Sequence, residues 1–170
     1  LDLLHSLLPS LSDDITAAAW EEVNAYNLLG DFRAKLDSWT NKEGRGWTRD
    51  QGVVQKAIWV LPFVGNLWIK CGSLGLVHVH LVPSSHGQEM GGKGEGELRH
   101  LLPDGRTLRV KHYPPLEIRG DEIVSTTGAG DTLVGGLVAG LMGKEEKEEV
   151  WVGRALERVV RTIKSHRAVG

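Results

Sequence analysis

With 170 residues and a mass of 18.6 kDa, the chain suits one domain with a real core. Lys+Arg 20 against Asp+Glu 22, with a pI near 6.4, lacks the basic excess of a dedicated nucleic-acid binder. A single cysteine, Cys71, excludes a disulfide framework within the chain and implies a reducing, cytoplasmic setting. The longest apolar runs, such as residues 58–64, fall far short of the roughly 20 residues of a membrane span, and no charged-then-apolar leader opens the chain. The expected partner is therefore a small molecule rather than a nucleic acid or a membrane. The chain opens on Leu1 rather than Met, which suggests a piece of something longer.

Three zones follow one another. In residues 1–48, Leu3, Leu4, Leu7, Leu8 and Leu11 recur at helical spacing. Ser12, Asp13 and Asp14 then offer caps for a second helix carrying residues 17–20, Val23, Tyr26 and Leu29, with Gly30 as its stop. The polar stretch 41–46 reads as a loop. Around residue 67 the period changes. Residues 67–69 and 76–82 are short, apolar and partly β-branched, with two glycines in the intervening Cys71-Gly72-Ser73-Leu74-Gly75. This predicts two strands joined by a tight turn. Residues 108–113 predict another strand, ended by Pro114 and Pro115.

Between these strands, residues 83–107 hold Gly87, Gly91, Gly92, Gly94, Gly96 and Gly105 among charged side chains. So little apolar surface cannot offset the entropy of ordering, and a mobile loop is expected. The last zone predicts a strand at 122–124 and a helix from about Thr132. Small residues on that helix (Gly135, Gly136, Ala139, Gly140) permit close backbone packing. After the charged stretch 144–149, a solvated approach, comes a final helix through Val150, Leu156, Val159, Val160 and Ile163. Strands alternating with helices give an α/β layer fold. The six tryptophans, at 20, 39, 47, 59, 68 and 151, serve either the core or cover for exposed apolar surface.

The chemistry is concentrated in Ser125-Thr126-Thr127-Gly128-Ala129-Gly130-Asp131-Thr132 and the apolar residues that follow it to Val138. Three small residues at a strand-to-helix junction let successive backbone N–H groups converge, and the helix start adds partial positive charge. That makes an anion site with the Asp131 carboxylate beside it. A carboxylate there would repel a phosphate unless it took a proton from a hydroxyl attacking that phosphate. The alternative is that Asp131 only caps a helix after a glycine turn.

Residues 125–138 resemble, position by position, the second signature of the PfkB (ribokinase-like) family of carbohydrate and nucleoside kinases. The resemblance implies Asp131 as catalytic base, an anion hole from Gly128, Ala129 and Gly130, and ATP with Mg²⁺ as phosphate source. Many members carry Asp where this chain has Ser125, and Ser also occurs there. The segment Lys70-Cys71-Gly72-Ser73-Leu74-Gly75 resembles the family's Gly-x-x-Gly turn beside the nucleotide, implying contacts from Lys70, Gly72 and Gly75; Lys70 replaces the usual Thr. The tail 164–169 is similar to the adenine-side segment.

Within the family the chain resembles pseudouridine kinase, found alone or fused to pseudouridine-5′-phosphate glycosidase. The residues that carry this are Leu61-Pro62-Phe63, His112-Tyr113-Pro114-Pro115, Ser125, and Ser165 with Ala168-Val169. A sugar or nucleoside acceptor follows, and a homodimer or a glycosidase fusion as assembly. The resemblance covers residue 50 onward, the C-terminal half of a domain of about 300 residues. The amino-terminal sugar-binding Gly-Gly signature, the lid strands and the Asn-x-x-Glu motif are missing. Residues 1–170 are thus expected to be the nucleotide-binding and catalytic half of such a kinase, with a parallel sheet lacking its first strands and apolar surface left open. A non-catalytic remnant of the same fold is the competing reading.

Other features point less far. Residues 87–94 come near a phosphate-binding loop, but Gly94 stands where Ser or Thr should hold Mg²⁺. His78 and His80 share one strand face, with His86 and His112 further along, yet no Cys or acidic residue completes a metal spacing. Cys71 reads as a small buried hydrophobe.

Overall fold

In the computed structural model, residues 13–42, 44–83, 96–143 and 147–165 are described. The chain divides into two compact units between Pro114 and Pro115. Proline has no N–H to donate to a ladder, so this pair ends the last strand of the first unit.

The first unit contains α1 (Asp13–Ala25), α2 (Asp31–Thr40), α3 (Gly46–Asp50) and α4 (Val53–Val64), followed by β1 (Asn66–Lys70), β2 (Leu76–Val82), β3 (Glu97–Leu101) and β4 (Thr107–Tyr113). The strands form one sheet in the order β1-β2-β4-β3, and each neighbouring pair is antiparallel. Alternation along the strands sorts the two faces. Val77, Val79, Leu108, Val110 and Leu98 join Tyr26, Phe32, Leu36, Val54 and Ile58 in one buried cluster. Each such side chain contributes about 1.5–3 kcal/mol when fully withdrawn from water. The opposite phase puts Trp68, His78 and His80 in a stack, with ring centroids 3.6 and 4.0 Å apart. Among the described residues no His, Cys, Asp or Glu cluster is arranged to hold a metal ion.

Polar ties fix the helices to the sheet. The Tyr26 hydroxyl donates to Glu22 Oε1 at 2.8 Å, and Arg106, in the β3–β4 turn, reaches the same oxygen at 3.2 Å. Burial, then the adjacent Glu22, push the Tyr26 phenol well above its ordinary range. Trp39 is buried, and its indole N–H donates to the Gly96 carbonyl at 2.9 Å. Trp20, by contrast, is exposed and lies edge-on to Trp59.

The second unit holds α5 (Ala129–Met142) and α6 (Glu148–Ile163), preceded by a single 3₁₀ turn at Gly120–Glu122. The expected close packing occurs here. A Cβ at Gly136 would lie 2.7 Å from Ala155 Cβ, and one at Gly140 would fall on the Trp151 ring, 2.8 Å from Cγ and nearer still to two other ring atoms.

Several expectations are corrected. The molecule is mixed α/β, but its sheet is antiparallel, not parallel. Residues 122–124 form no strand: the 3₁₀ turn ends at Glu122 and an extended Ile123 follows. The segment 83–107 is not wholly loop, because Glu97–Leu101 pairs with β4, Leu98 and His100 pointing inward. Gly30 does not close a helix reaching Leu29. The first helix ends at Ala25, Leu29 is exposed, and Gly30 (φ 40°) precedes α2. The helix of the signature begins at Ala129, three residues before Thr132. The leucines at 3–11, His86, the 87–94 glycine segment and residues 166–170 lie outside the described residues.

Candidate functional site

The signature junction is built by one glycine and one helix start. Gly128 takes φ 77°, ψ −8°, a left-handed conformation that costs a residue with Cβ about 1–2 kcal/mol. It turns the chain into α5, and the Thr132 amide returns to the Gly128 carbonyl at 2.9 Å. Upstream, the Ala129 amide donates to Thr126 O at 3.3 Å, and the Thr127 amide to Ser125 Oγ at 3.1 Å. Ala129, Gly130 and Asp131 are the first three helical residues. Amides in a first turn have no intrahelical acceptor. With the Ala129 amide already used, those of Gly130 and Asp131 are the ones suited to an external anion.

Asp131 is the third helical residue and is exposed, so its carboxylate stands beside those amides and is open to solvent. Gly128, Ala129 and Gly130 are half-buried. The junction is chemically suited to phosphate oxygens: N–H groups, partial positive charge and, over residues 128–130, no side chain beyond a methyl to obstruct approach. The same junction supplies a proton acceptor.

The junction is held from the end of α6. The Ile163 carbonyl, which has no acceptor role left within its own helix, receives the Val124 amide at 3.0 Å and the Ser125 amide at 3.1 Å. Thr132 Oγ1 and Thr162 Oγ1 lie 3.1 Å apart, and Lys164 Nζ donates to Glu122 Oε1 at 2.9 Å. The Lys164 ammonium, then the Arg119 amide, hold the Glu122 carboxyl below its usual range. These contacts were not anticipated from the sequence. The available signal was a threonine at position 162, in register with the buried Trp151 and Ala155 of α6.

The glycine turn of the first unit is equally specific locally. Gly72 (φ 59°) opens a 3₁₀ turn at Gly72–Leu74, and Gly75 (φ 92°, ψ −137°) closes it in a region open essentially to glycine alone. The Cys71 amide donates to Gly75 O at 2.9 Å, and His112 Nε2 lies 2.8 Å from the Leu74 carbonyl. Lys70 ends β1 and is exposed. Cys71 is half-buried, and burial pushes its thiol up, away from the reactive thiolate. Lys70, Gly72 and Gly75 belong to the first unit; Gly128, Ala129, Gly130 and Asp131 belong to the second.

Comparison with known proteins gives one distant relationship. The chain is 26% identical over 120 residues, 71% of its length, to a pseudouridine-metabolizing bifunctional protein of Schizosaccharomyces pombe. The matched stretch spans 15% of that larger protein. No family model matches the chain. No solved structure matches it either. Among the described residues no helix is long and apolar enough to cross a membrane.

Proposed function

We propose that the chain is the catalytic, nucleotide-binding part of a PfkB-type kinase that transfers the γ-phosphoryl group of Mg-ATP to a sugar or nucleoside hydroxyl, with pseudouridine as acceptor and pseudouridine 5′-phosphate as product. One observation carries the reading. The carboxylate of Asp131 and the acceptor-free amides of Gly130 and Asp131 occupy the same first turn of α5. The relationship to a pseudouridine-metabolizing protein supports the choice of acceptor.

The residues then divide the work. Asp131 accepts the proton of the attacking hydroxyl as its oxygen forms a bond to phosphorus and the bond to the ADP oxygen breaks. The Gly128-Ala129-Gly130 segment forms the anion hole; the Ala129 amide is engaged by Thr126, so the Gly130 amide, with that of Asp131, meets the developing charge on the phosphoryl group. Gly72 and Gly75, with Lys70, border the nucleotide. Mg²⁺ offsets the charge of the phosphates. A glycosidase fusion in a longer parent, or a homodimer, fits this reading, as does a cytoplasmic location.

The test is ADP release from Mg-ATP with pseudouridine, ribose or adenosine added separately. Stimulation by pseudouridine is expected, and Asp131→Asn should abolish it while sparing ATP binding. Near-normal turnover by Asp131→Asn would remove the carboxylate from the mechanism. A second reading is a non-catalytic nucleotide-binding or interaction module; ATP binding without stimulation by any acceptor would select it.

A further inference from the structure

We propose that Thr162, Ile163 and Lys164 form a three-point clamp that sets the position of the 122–132 junction, with Thr162 as a positioning residue for Asp131. Its relevance to catalysis rests on the kinase reading above; the clamp itself rests on geometry. Three consecutive residues at the end of α6 reach three successive parts of the junction. Lys164 Nζ holds Glu122 at 2.9 Å. The Ile163 carbonyl holds the Val124 and Ser125 amides at 3.0 and 3.1 Å. Thr162 Oγ1 holds Thr132 Oγ1 at 3.1 Å.

The direction of the last bond follows from proton bookkeeping. A threonine hydroxyl has one hydrogen. That of Thr162 goes to the Arg158 carbonyl at 3.1 Å, so Thr132 donates to Thr162. Thr162 is buried, so parting the pair would take an accepted hydrogen bond from a hydroxyl that water reaches poorly, although its own donor bond to Arg158 would remain. The pair therefore resists separation, and it is anchored on the residue immediately after Asp131. The physical need is also clear. Residues 122–124 form no strand, so no ladder takes up the Val124 and Ser125 amides; the terminal carbonyl of α6 does so instead.

The experiment compares amide exchange by NMR in the chain with Thr162→Val, which keeps the volume, and Thr162→Ser, which keeps the hydroxyl. Exchange at Ser125 and Thr132 is expected to rise about tenfold in Thr162→Val and return near the original rate in Thr162→Ser. Leu137, buried in the middle of α5, should not change. Thr132→Val should reproduce the effect, and the double variant should add little to either single one. Equal acceleration at Leu137 would overturn the clamp in favour of a general contribution to helix packing, and so would no acceleration at the junction. In a parallel arm, Mg-ATP should shift the Gly128 and Gly130 amide resonances, with affinity falling several-fold in Thr162→Val. Absence of such shifts in the unsubstituted chain would overturn the kinase reading; the exchange arm decides the clamp in either case.

Discussion

Gly136→Ala tests the packing of the two signature-unit helices most directly. A methyl at Gly136 would stand 2.7 Å from Ala155 Cβ and 3.0 Å from Ala155 Cα. Carbon atoms pack best at about 3.5–4.0 Å, so the shortfall is about 1 Å. Neither alanine has a rotamer to escape into, and the helices themselves must part. Overpacking of this kind costs about 1–3 kcal/mol, offset by about 1 kcal/mol of improved helix propensity. The net expectation is a loss of about 0–2 kcal/mol. Gly135 is the internal control, because a Cβ there meets nothing within 4 Å. Gly135→Ala should gain about 0.5–1 kcal/mol. Adjacent, chemically identical substitutions are thus expected to act in opposite directions. Moving the methyl across the interface, with Gly136→Ala and Ala155→Gly together, removes the closer of the two contacts and should recover part of the loss. Urea denaturation followed by far-UV ellipticity reads all four chains. At a slope of about 2 kcal/mol/M, the two single variants should differ in midpoint by about 1 M. Equal midpoints for the two, or no recovery in the swapped pair, would refute the close-approach argument.

Three further outcomes follow from the same structure. Gly128→Ala must hold a Cβ at φ 77°, so it should lose about 1–2 kcal/mol in the same denaturation assay, and Gly128→Asn less. His100 is buried at the β3–α2 contact, edge-on to Phe32, and burial, then the Lys35 charge, lower its pKa despite the Asp31 carboxylate 3.7 Å away. The unfolded chain then binds the proton more readily, so this contribution is complete above about pH 6.5 and is lost as the pH falls through the folded-state value. His100→Gln should flatten the dependence of the denaturation midpoint on pH below 6.5, and an unchanged slope would count against the assignment. Glu97, its side chain only 4% exposed, is shared by Arg109 at 2.6 Å and by Arg99. Burial raises its pKa, but the two guanidiniums outweigh this and hold the carboxyl below its usual range. Its contribution is present above the ordinary carboxylate range and lost on acidification, and Glu97→Gln should cost about 1–2 kcal/mol at neutral pH, because the arginines keep partial access to water.

Much of the local structure was legible where one signal dominated. Short, apolar, partly β-branched runs marked β2 and β4, and Gly72 with Gly75 marked the turn whose positive φ angles only glycine adopts easily. The small residues of α5 announced a close neighbour, and Gly136 and Gly140 found one. Other elements were hidden by composition. β3 alternates correctly, with Leu98 and His100 inward, but it lies beside a glycine-rich stretch whose average masks five residues. Phe32, Leu36 and Trp39 carry the buried face of α2, yet Gly30 reads as punctuation after the first helix rather than before the second. The start of α5 was misplaced because glycine and alanine suggest a loop, whereas Gly128 spends one left-handed residue and the helix begins at once. At the junction, the placing of Asp131 at a helix start was legible, but the engagement of the Ala129 amide by Thr126 was not. Nor was the grip of α6 upon the junction, because it joins residues some thirty to forty positions apart through a hydroxyl pair, a helix-end carbonyl and an ion pair.

The close fit of Gly136 against Ala155 also bears on how signatures decay. Within residues 125–138 two separate constraints overlap: on the proposed kinase reading the exposed Asp131 answers to chemistry, while Gly136 answers to the neighbouring helix. A descendant that abandoned phosphoryl transfer but still had to fold would be free to replace the first and obliged to keep the second. Most letters of the motif would then outlive the activity they advertise. A census of such chains should therefore weigh the single carboxylate above the length of the match.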